Sequence, residues 1–556
     1  MTNSGARRAM ALVALTAVVA VAFALDLGRP HFWDPGEGRY AETVREMLLT
    51  RNWIVPTLEF AHYYDKPPGF FWIVASCFQL FGTNEWAGRL PAALAAVLTI
   101  AATVAFAWRR LGAAAALGVG AMLATTGQFV ALGRSLRMDM PLAFAVTGTL
   151  LYAYALLTAD DEQADRVTWP LYVLAALGVL VKGPVAILLP VLVLGVYAAL
   201  TGRLRRLRRL RPGWGALVGL AIAGSWYVIA AFRAPDYLWA FLWQQNVDRF
   251  FEGARGSGHS EPFWFYLWVL PLTFLPWTPF LPGALARSVR RARRGEDLDI
   301  FLLAWTGIVF AFFTVARAKL ATYLLPIFPA LALAVVAYLD EVLAAPVEAR
   351  RRALTVPTMA WAAGLAAVAI AVAIPVAIRY PPFAWRALSA LTLLVFSVAG
   401  FLLARRDQWQ AIPVLMLIAT LYSQALFYRV ASPIVNEFIS LRAAAEVARA
   451  LPDEAQIYAF HTRGHSFTFY GGHVLTRMRS PEGAAEVLRG GDPVGLLTKK
   501  KYLQRIQAHL TEPVCIWWEG VSGRVLLANR PFPDSTRHAA LLPGSGSRIG
   551  DYSPRC

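Results

Sequence analysis

Three acids stand where polar sequence meets apolar sequence. Asp34 and Glu37 lie in His31-Phe-Trp-Asp34-Pro-Gly-Glu37-Gly-Arg39-Tyr40-Ala-Glu42, and Asp139 lies in Arg134-Ser-Leu-Arg137-Met-Asp139-Met-Pro141. A carboxylate so placed can act as a general base or stabilise a developing cation. Asp139 opens an apolar run, so the plainer reading makes it a helix cap favoured by the dipole. Cations sit in similar surroundings: Lys182 in Lys182-Gly183-Pro184, and Arg317 and Lys319 close to Tyr323. Beside an apolar bundle they suit an anionic lipid headgroup, above all a phosphate, although long cationic side chains also snorkel to an interface. Lys66, between Asp65 and Pro67-Pro68, is presented from a stiff backbone. His31, His62 and His259 with Asp65 could hold an adventitious zinc ion, but their spacing matches no recognised ligand pattern.

These residues need something to hold them at one face. The chain has 556 residues, of which 57% are hydrophobic and only 16% charged, and the apolar residues fall in long runs. Soluble domains carry about 25% charged residues. A net charge of +18 would suit nucleic acid, but the arginines cluster between apolar runs, as in a polytopic membrane protein. Thirteen runs are long enough to read as spans: 9–26, 86–107, 112–132, 140–158, 168–182, 184–201, 214–232, 263–285, 299–316, 320–339, 355–377, 385–404 and 410–428. The run 69–82 is too short and is expected at the interface or re-entrant. With the N-terminus inside, the arginine clusters at 7–8, 109–110, 203–211, 287–294, 350–352 and 405–406 all become cytoplasmic. Loops 27–85 and 233–262 then face outward with the acids and Lys66. So does a less apolar tail, 431–556, whose helical text (Leu441–Leu451) and strand-like pieces (Gln456–Phe460, Val514–Trp518) suggest a small α/β domain. Cys515 and Cys556 would share the oxidising side, where a disulfide can form.

The string Trp33-Asp-Pro-Gly-Glu37-Gly-Arg39-Tyr40-Ala-Glu42, Tyr64-Asp65-Lys66-Pro67-Pro68, Lys182-Gly183-Pro184, Pro262-Phe263-Trp264 with Pro276-Trp277, and Lys319-Leu-Ala-Thr-Tyr323-Leu-Leu-Pro326 resembles the bacterial aminoarabinose (ArnT-type) transferases. These are relatives of the protein O-mannosyltransferases within the GT-C superfamily. The resemblance implies an α-helical polytopic membrane protein of GT-C fold over residues 1–430, with a C-terminal periplasmic α/β domain over 431–556. It implies transfer of a sugar, for the nearest relatives 4-amino-4-deoxy-L-arabinose, from undecaprenyl phosphate to lipid A at the periplasmic face of the inner membrane. Lys66 and Tyr63 match the family's donor-phosphate motif, and Arg249 and Tyr323 fall at further phosphate contacts. Arg39, Tyr40, Lys182 and Lys319 complete the expected binding set, and Glu37, Asp34 and Asp139 the expected catalytic acids. No cofactor or nucleic acid is expected, and the chain is expected to act as a monomer.

Two departures bear on the site. The family's usual Pro-Asp-Glu is Pro35-Gly36-Glu37 here, so Asp34 or Glu37 would have to cover the missing aspartate. Its Glu-His is replaced by Gln245-Asn246. An acceptor hydroxyl would need a base, whereas an acceptor phosphate needs only positioning. Transfer to another glycan or to protein is the alternative within the class, and a lipid or sugar flippase the alternative outside it. Flippases, however, show repeats and interrupted mid-membrane helices, whereas these charges gather on one face.

Overall fold

A computed structural model describes residues 2–160, 167–253, 261–452, 454–512 and 514–530. Apolar runs become helices because a chain without water must satisfy its backbone internally. Among the described residues, eight helices are long and apolar enough to cross a membrane, ten if two bent pairs are each one span. The bends fall between Ala113–Thr125 and Gly127–Gly133 (68°) and between Phe265–Thr273 and Thr278–Ala292 (117°). Four shorter apolar helices accompany them: Met10–Ala24, Gly69–Phe81, Trp169–Lys182 and Val185–Leu200. Each of the thirteen expected segments is at least partly helical, but length alone supports eight to ten spans. At about 1.5 Å per residue, helices of 13 to 16 residues fall short of a hydrocarbon core about 30 Å thick. Gly69–Phe81 packs against the helices Gly36–Thr50, Glu85–Arg110 and Trp169–Lys182.

Small residues let the central helices approach. Glu85–Arg110 and Asp139–Leu157 pack extensively on each other, and small residues such as Ala92, Ala96, Ala143 and Gly148 are buried on them, as expected where lipid offers no hydrophobic gain from association.

The first loop carries a two-stranded hairpin, β1 (Thr57–Leu58) and β2 (Ala61–His62). The C-terminal unit has five strands: β3 (Gln456–Phe460), β4 (Leu475–Met478), β5 (Val494–Lys499), β6 (Cys515–Glu519) and β7 (Arg524–Ala528), ordered β4-β3-β5-β7-β6. β3 is parallel to β4 and β5, whereas β7 is antiparallel to both its neighbours. Helices His465–Gly471 and Pro481–Arg489 make the crossovers. The expected helix appears as Arg442–Ala448. The expected Cys515–Cys556 pairing involves Cys556, which lies outside the described residues, as does His259.

Glu37 and Asp34 anchor the first loop. Arg89, inside an apolar helix, donates from Nε to Glu37 Oε1 (2.8 Å) and from Nη2 to Oε2 (2.7 Å). Its other N–H groups reach the carbonyls of Leu27, Pro30 and His31. The backbone N–H of Leu136 also donates to Glu37 Oε1 (2.8 Å). Burial pushes the Glu37 pKa up, but Arg89 and the backbone donors outweigh it and hold the carboxyl below its usual range. Asp34 accepts from the backbone N–H of Ser466 (2.9 Å) and from the Ser466 hydroxyl. Trp33 Nε1 reaches Asn436 (2.8 Å), and the Phe32 N–H reaches Tyr470 Oη (2.8 Å), which donates to Glu85 (2.7 Å). The first loop is thus clamped between the helical bundle and the C-terminal sheet.

Removing one partner of a fully buried pair strands the other charge at a cost of about 3–5 kcal/mol. Glu37→Gln should therefore lower the melting temperature of the detergent-solubilised protein markedly, and Glu37→Gln with Arg89→Met should recover part of the loss. Because the folded carboxyl is depressed, its contribution is complete above the ordinary carboxyl pKa and lost as pH falls through the lower folded one. A melting temperature unmoved by Glu37→Gln would remove the clamp from the account.

Candidate functional site

A cavity of about 420 Å³ gathers residues from several segments: Lys66, Asp139, Lys182, Gln245, Arg249 and Tyr323 among them. Asp139 begins the helix Asp139–Leu157, and Lys182 ends Trp169–Lys182. Arg249 follows the Trp239–Asp248 turn, and Tyr323 lies in the Ala321–Ile327 turn. Lys66 comes from the first loop, whose backbone carbonyl at 66 accepts from Tyr237 Oη (2.6 Å). Two glycines permit the assembly. A Cβ at Gly69 would stand 2.6 Å from the Leu180 carbonyl oxygen, so only glycine lets the first loop close on the Lys182 helix. Gly183 has φ +112° and would collide with Phe241.

The charges are unequal. Lys182 Nζ donates to Asp139 Oδ1 (2.7 Å) and lies 5.1 Å from the Tyr323 ring centre. Arg249 Nη1 donates to Gln245 Oε1 (2.7 Å). The Lys66 ammonium has no hydrogen-bond or ion-pair partner among the described residues. Burial pushes its pKa down to about 7; Asp65 opposes this, and Arg249, Lys182 and Arg39 add repulsion. Three cations facing one committed acid leave the cavity demanding an anion. The remaining wall, with Leu142, Val185, Leu188, Leu242 and Phe312, is apolar. That combination suits a phosphate carried on a hydrocarbon chain.

Not every sequence-nominated residue reaches this cavity. Lys66, Asp139, Lys182, Arg249 and Tyr323 line it. Arg39, Tyr40 and Tyr63 lie outside its lining: the Arg39 guanidinium sits 5.3 Å from the Tyr40 ring centre and 5.9 Å from that of Tyr63. The buried Tyr63 hydroxyl has no hydrogen-bond partner among the described residues. Three nominated residues have other partners. Glu37 is saturated by Arg89 and backbone N–H groups, Asp34 is engaged with Ser466, and Lys319 donates to the carbonyls of Glu261 (3.1 Å) and Ala316 (2.5 Å). None of the three lines the cavity. The aspartate missing at Gly36 leaves room that Arg137 fills, since a Cβ at 36 would meet Arg137 Nη2 at 2.6 Å. Among the described residues, no three His, Cys, Asp or Glu side chains come together to hold a metal.

Sequence reasoning passed over Arg89 and Tyr237. Arg89 carried a signal, because a cation inside an apolar helix demands a partner. Tyr237 carried none, since its hydroxyl meets a backbone carbonyl 171 residues away.

Residues 65–228 match the family model described as dolichyl-phosphate-mannose-protein mannosyltransferase. The chain is 34% identical over 316 residues to an undecaprenyl phosphate-alpha-4-amino-4-deoxy-L-arabinose arabinosyl transferase of Proteus mirabilis, covering 56% of each chain. It is 33% identical over 350 residues to the enzyme of that name from Aeromonas salmonicida, covering 62% of this chain and 61% of the relative. The aligned part is thus less than two thirds of these relatives' length. The crystal structure of ArnT from Cupriavidus metallidurans bound to undecaprenyl phosphate superposes with a TM-score of 0.77 at 24% identity, covering 93% of this chain and 98% of that one. The resemblance read from the motifs is borne out, the fold is shared, and the chain is a multi-pass membrane protein.

With Lys66 cationic below pH 7 and increasingly neutral above it, affinity for a phosphate anion should fall as pH rises through about 7. The slope should approach tenfold per unit until the pKa of the bound state is reached. Titrating undecaprenyl phosphate between pH 6 and 9 checks this. Lys66→Ala should flatten the profile, and an equally steep profile in Lys66→Ala would assign the titration elsewhere.

Proposed function

We propose that this chain is an integral-membrane glycosyltransferase of the bacterial inner membrane. It moves a sugar, 4-amino-4-deoxy-L-arabinose in the best-supported reading, from undecaprenyl phosphate to lipid A at the periplasmic face, where the C-terminal domain also lies. The observation that carries the reading is the cavity in which Lys66, Lys182 and Arg249 meet beside an apolar wall. Its support is the similarity to transferases whose names specify that donor.

In the transfer, an acceptor oxygen bonds to the anomeric carbon as the bond from that carbon to the polyprenyl phosphate oxygen breaks. The electron pair leaves with the phosphate, where Lys66 and Arg249 stabilise the growing charge. A phosphate acceptor is already a nucleophile and needs no base. Asp139 then orients Lys182 through their 2.7 Å contact, and the transfer runs without a resident cofactor. One observation favours a neighbouring reading with another sugar or glycan acceptor: Gln245 and Asn246, which replace the family's Glu-His, both line the cavity.

Purified protein given undecaprenyl-phosphate aminoarabinose and lipid A should release undecaprenyl phosphate and add one sugar to the acceptor, read by mass spectrometry. Lys66→Ala should cost about 2–5 kcal/mol of transition-state stabilisation, a loss of tens- to thousands-fold in turnover at an unchanged melting temperature. Lys66→Arg should rescue only partly, because guanidinium geometry differs. Full turnover in Lys66→Ala would rule out its phosphate role.

A further inference from the structure

The carboxyl ends of the parallel strands in the C-terminal sheet gather exposed cations, with Glu482 and Glu519 as the acids among them. In an open α/β sheet, ligands bind outside the carboxyl ends of parallel strands, where successive connections diverge to opposite sides. Here β3 is the central parallel strand, flanked by β4 and β5, and the chain visits β4 before crossing to β5. Each of these three strands exits into cations. Arg463 follows β3, Arg479 follows β4, Lys499 ends β5, and Lys501 and Arg505 follow it. None of the five has an acid partner among the described residues. Lys500, beside them, pairs with Glu519 at 2.6 Å. At the opposite rim stand Glu454 before β3, Asp492 before β5 and Glu512 before β6, along with Arg530, whose guanidinium is bonded to the Gly491 carbonyl.

The loops after β3 and β5 meet at the divergence point. His461 and Tyr502 stack there with ring centres 4.7 Å apart and planes at 24°. The Lys501 ammonium lies 5.0 Å and the Arg505 guanidinium 5.9 Å from the Tyr502 ring centre. An aromatic pair ringed by cations offers a flat apolar surface for a sugar ring and charge for phosphates on it. This rim is turned toward the first loop. Ser466, just beyond β3, holds Asp34, and Arg477 in β4 contacts Glu59 at 3.3 Å.

We propose that this basic carboxyl-end rim binds the phosphorylated saccharide head of a membrane glycolipid and holds it beside the loop that carries Lys66. The inference rests on the functional reading above only in calling that glycolipid the acceptor.

The test uses the full chain in detergent and the variant Arg463→Ser/Lys501→Ser/Arg505→Ser. All three side chains are exposed and none belongs to the cavity. The probes are lipid A, its dephosphorylated form, undecaprenyl phosphate and phosphatidylglycerol vesicles. Exposed ion pairs each contribute modestly, so losing three should weaken lipid A binding about tenfold. Binding of the dephosphorylated form and of undecaprenyl phosphate, and the melting temperature, should be unchanged. In turnover, the KM for lipid A should rise about tenfold at constant kcat. Unchanged lipid A affinity in the variant would overturn the proposal. An equal loss of phosphatidylglycerol binding would overturn it too, because the rim would then be reading bulk membrane charge. If the wild type transfers no sugar but the selective loss of lipid A binding persists, the acceptor reading fails and the binding rim stands.

Discussion

Like charges repel, and the structure depends on holding three of them at one apolar cavity. Lys66, Lys182 and Arg249 approach closely enough that burial and mutual repulsion bring Lys66 down to about 7. Among the described residues, only Lys182 of the three has an acid partner within the cavity. Left alone, a flexible loop would carry Lys66 away into water. The chain prevents this with backbone constraints: Pro67 and Pro68 after the lysine, the Tyr237 hydroxyl on its carbonyl, and a glycine at 69 that admits the Leu180 backbone. A site that is unfavourable when empty can become favourable when a phosphate neutralises it, and preorganisation of this kind is what electrostatic catalysis requires.

The clamp on the first loop extends that constraint outward. Glu37 ties the loop to the Glu85–Arg110 helix through Arg89, and Asp34 ties it to the C-terminal sheet through Ser466. Glu37 thereby fixes the geometry of a neighbouring cation, and Asp34 holds the start of the helix His465–Gly471. That arrangement supports the proposed transfer to an acceptor that is already anionic, which needs positioning and charge stabilisation rather than a base.

The legible part of the site was the part written in local sequence. Lys66 between an acid and two prolines, Lys182 before Gly183-Pro184, and Asp139 at the mouth of an apolar run each stand out against their neighbours. Glu37 and Asp34 stood out equally, yet their partners lie 52 and 432 residues away, and no local pattern distinguishes a saturated carboxylate from a free one. The same limit applies to the spans. Apolar runs located the helices, but the 68° and 117° bends fall inside runs that hydrophobicity alone reads as continuous. The C-terminal strands Gln456–Phe460 and Cys515–Glu519 were visible as short β-branched and aromatic runs, whereas the order of strands in their sheet was not.

The central claim is that Lys66 and Arg249 act on one phosphate. A double-mutant cycle measures this directly, using the affinity of undecaprenyl phosphate for wild type, Lys66→Ala, Arg249→Ala and the double variant. If both cations hold the same group, their losses should be coupled by about 1 kcal/mol or more, whereas independent sites add to within about 0.5 kcal/mol. Additive losses, or no loss from either substitution, would contradict the account.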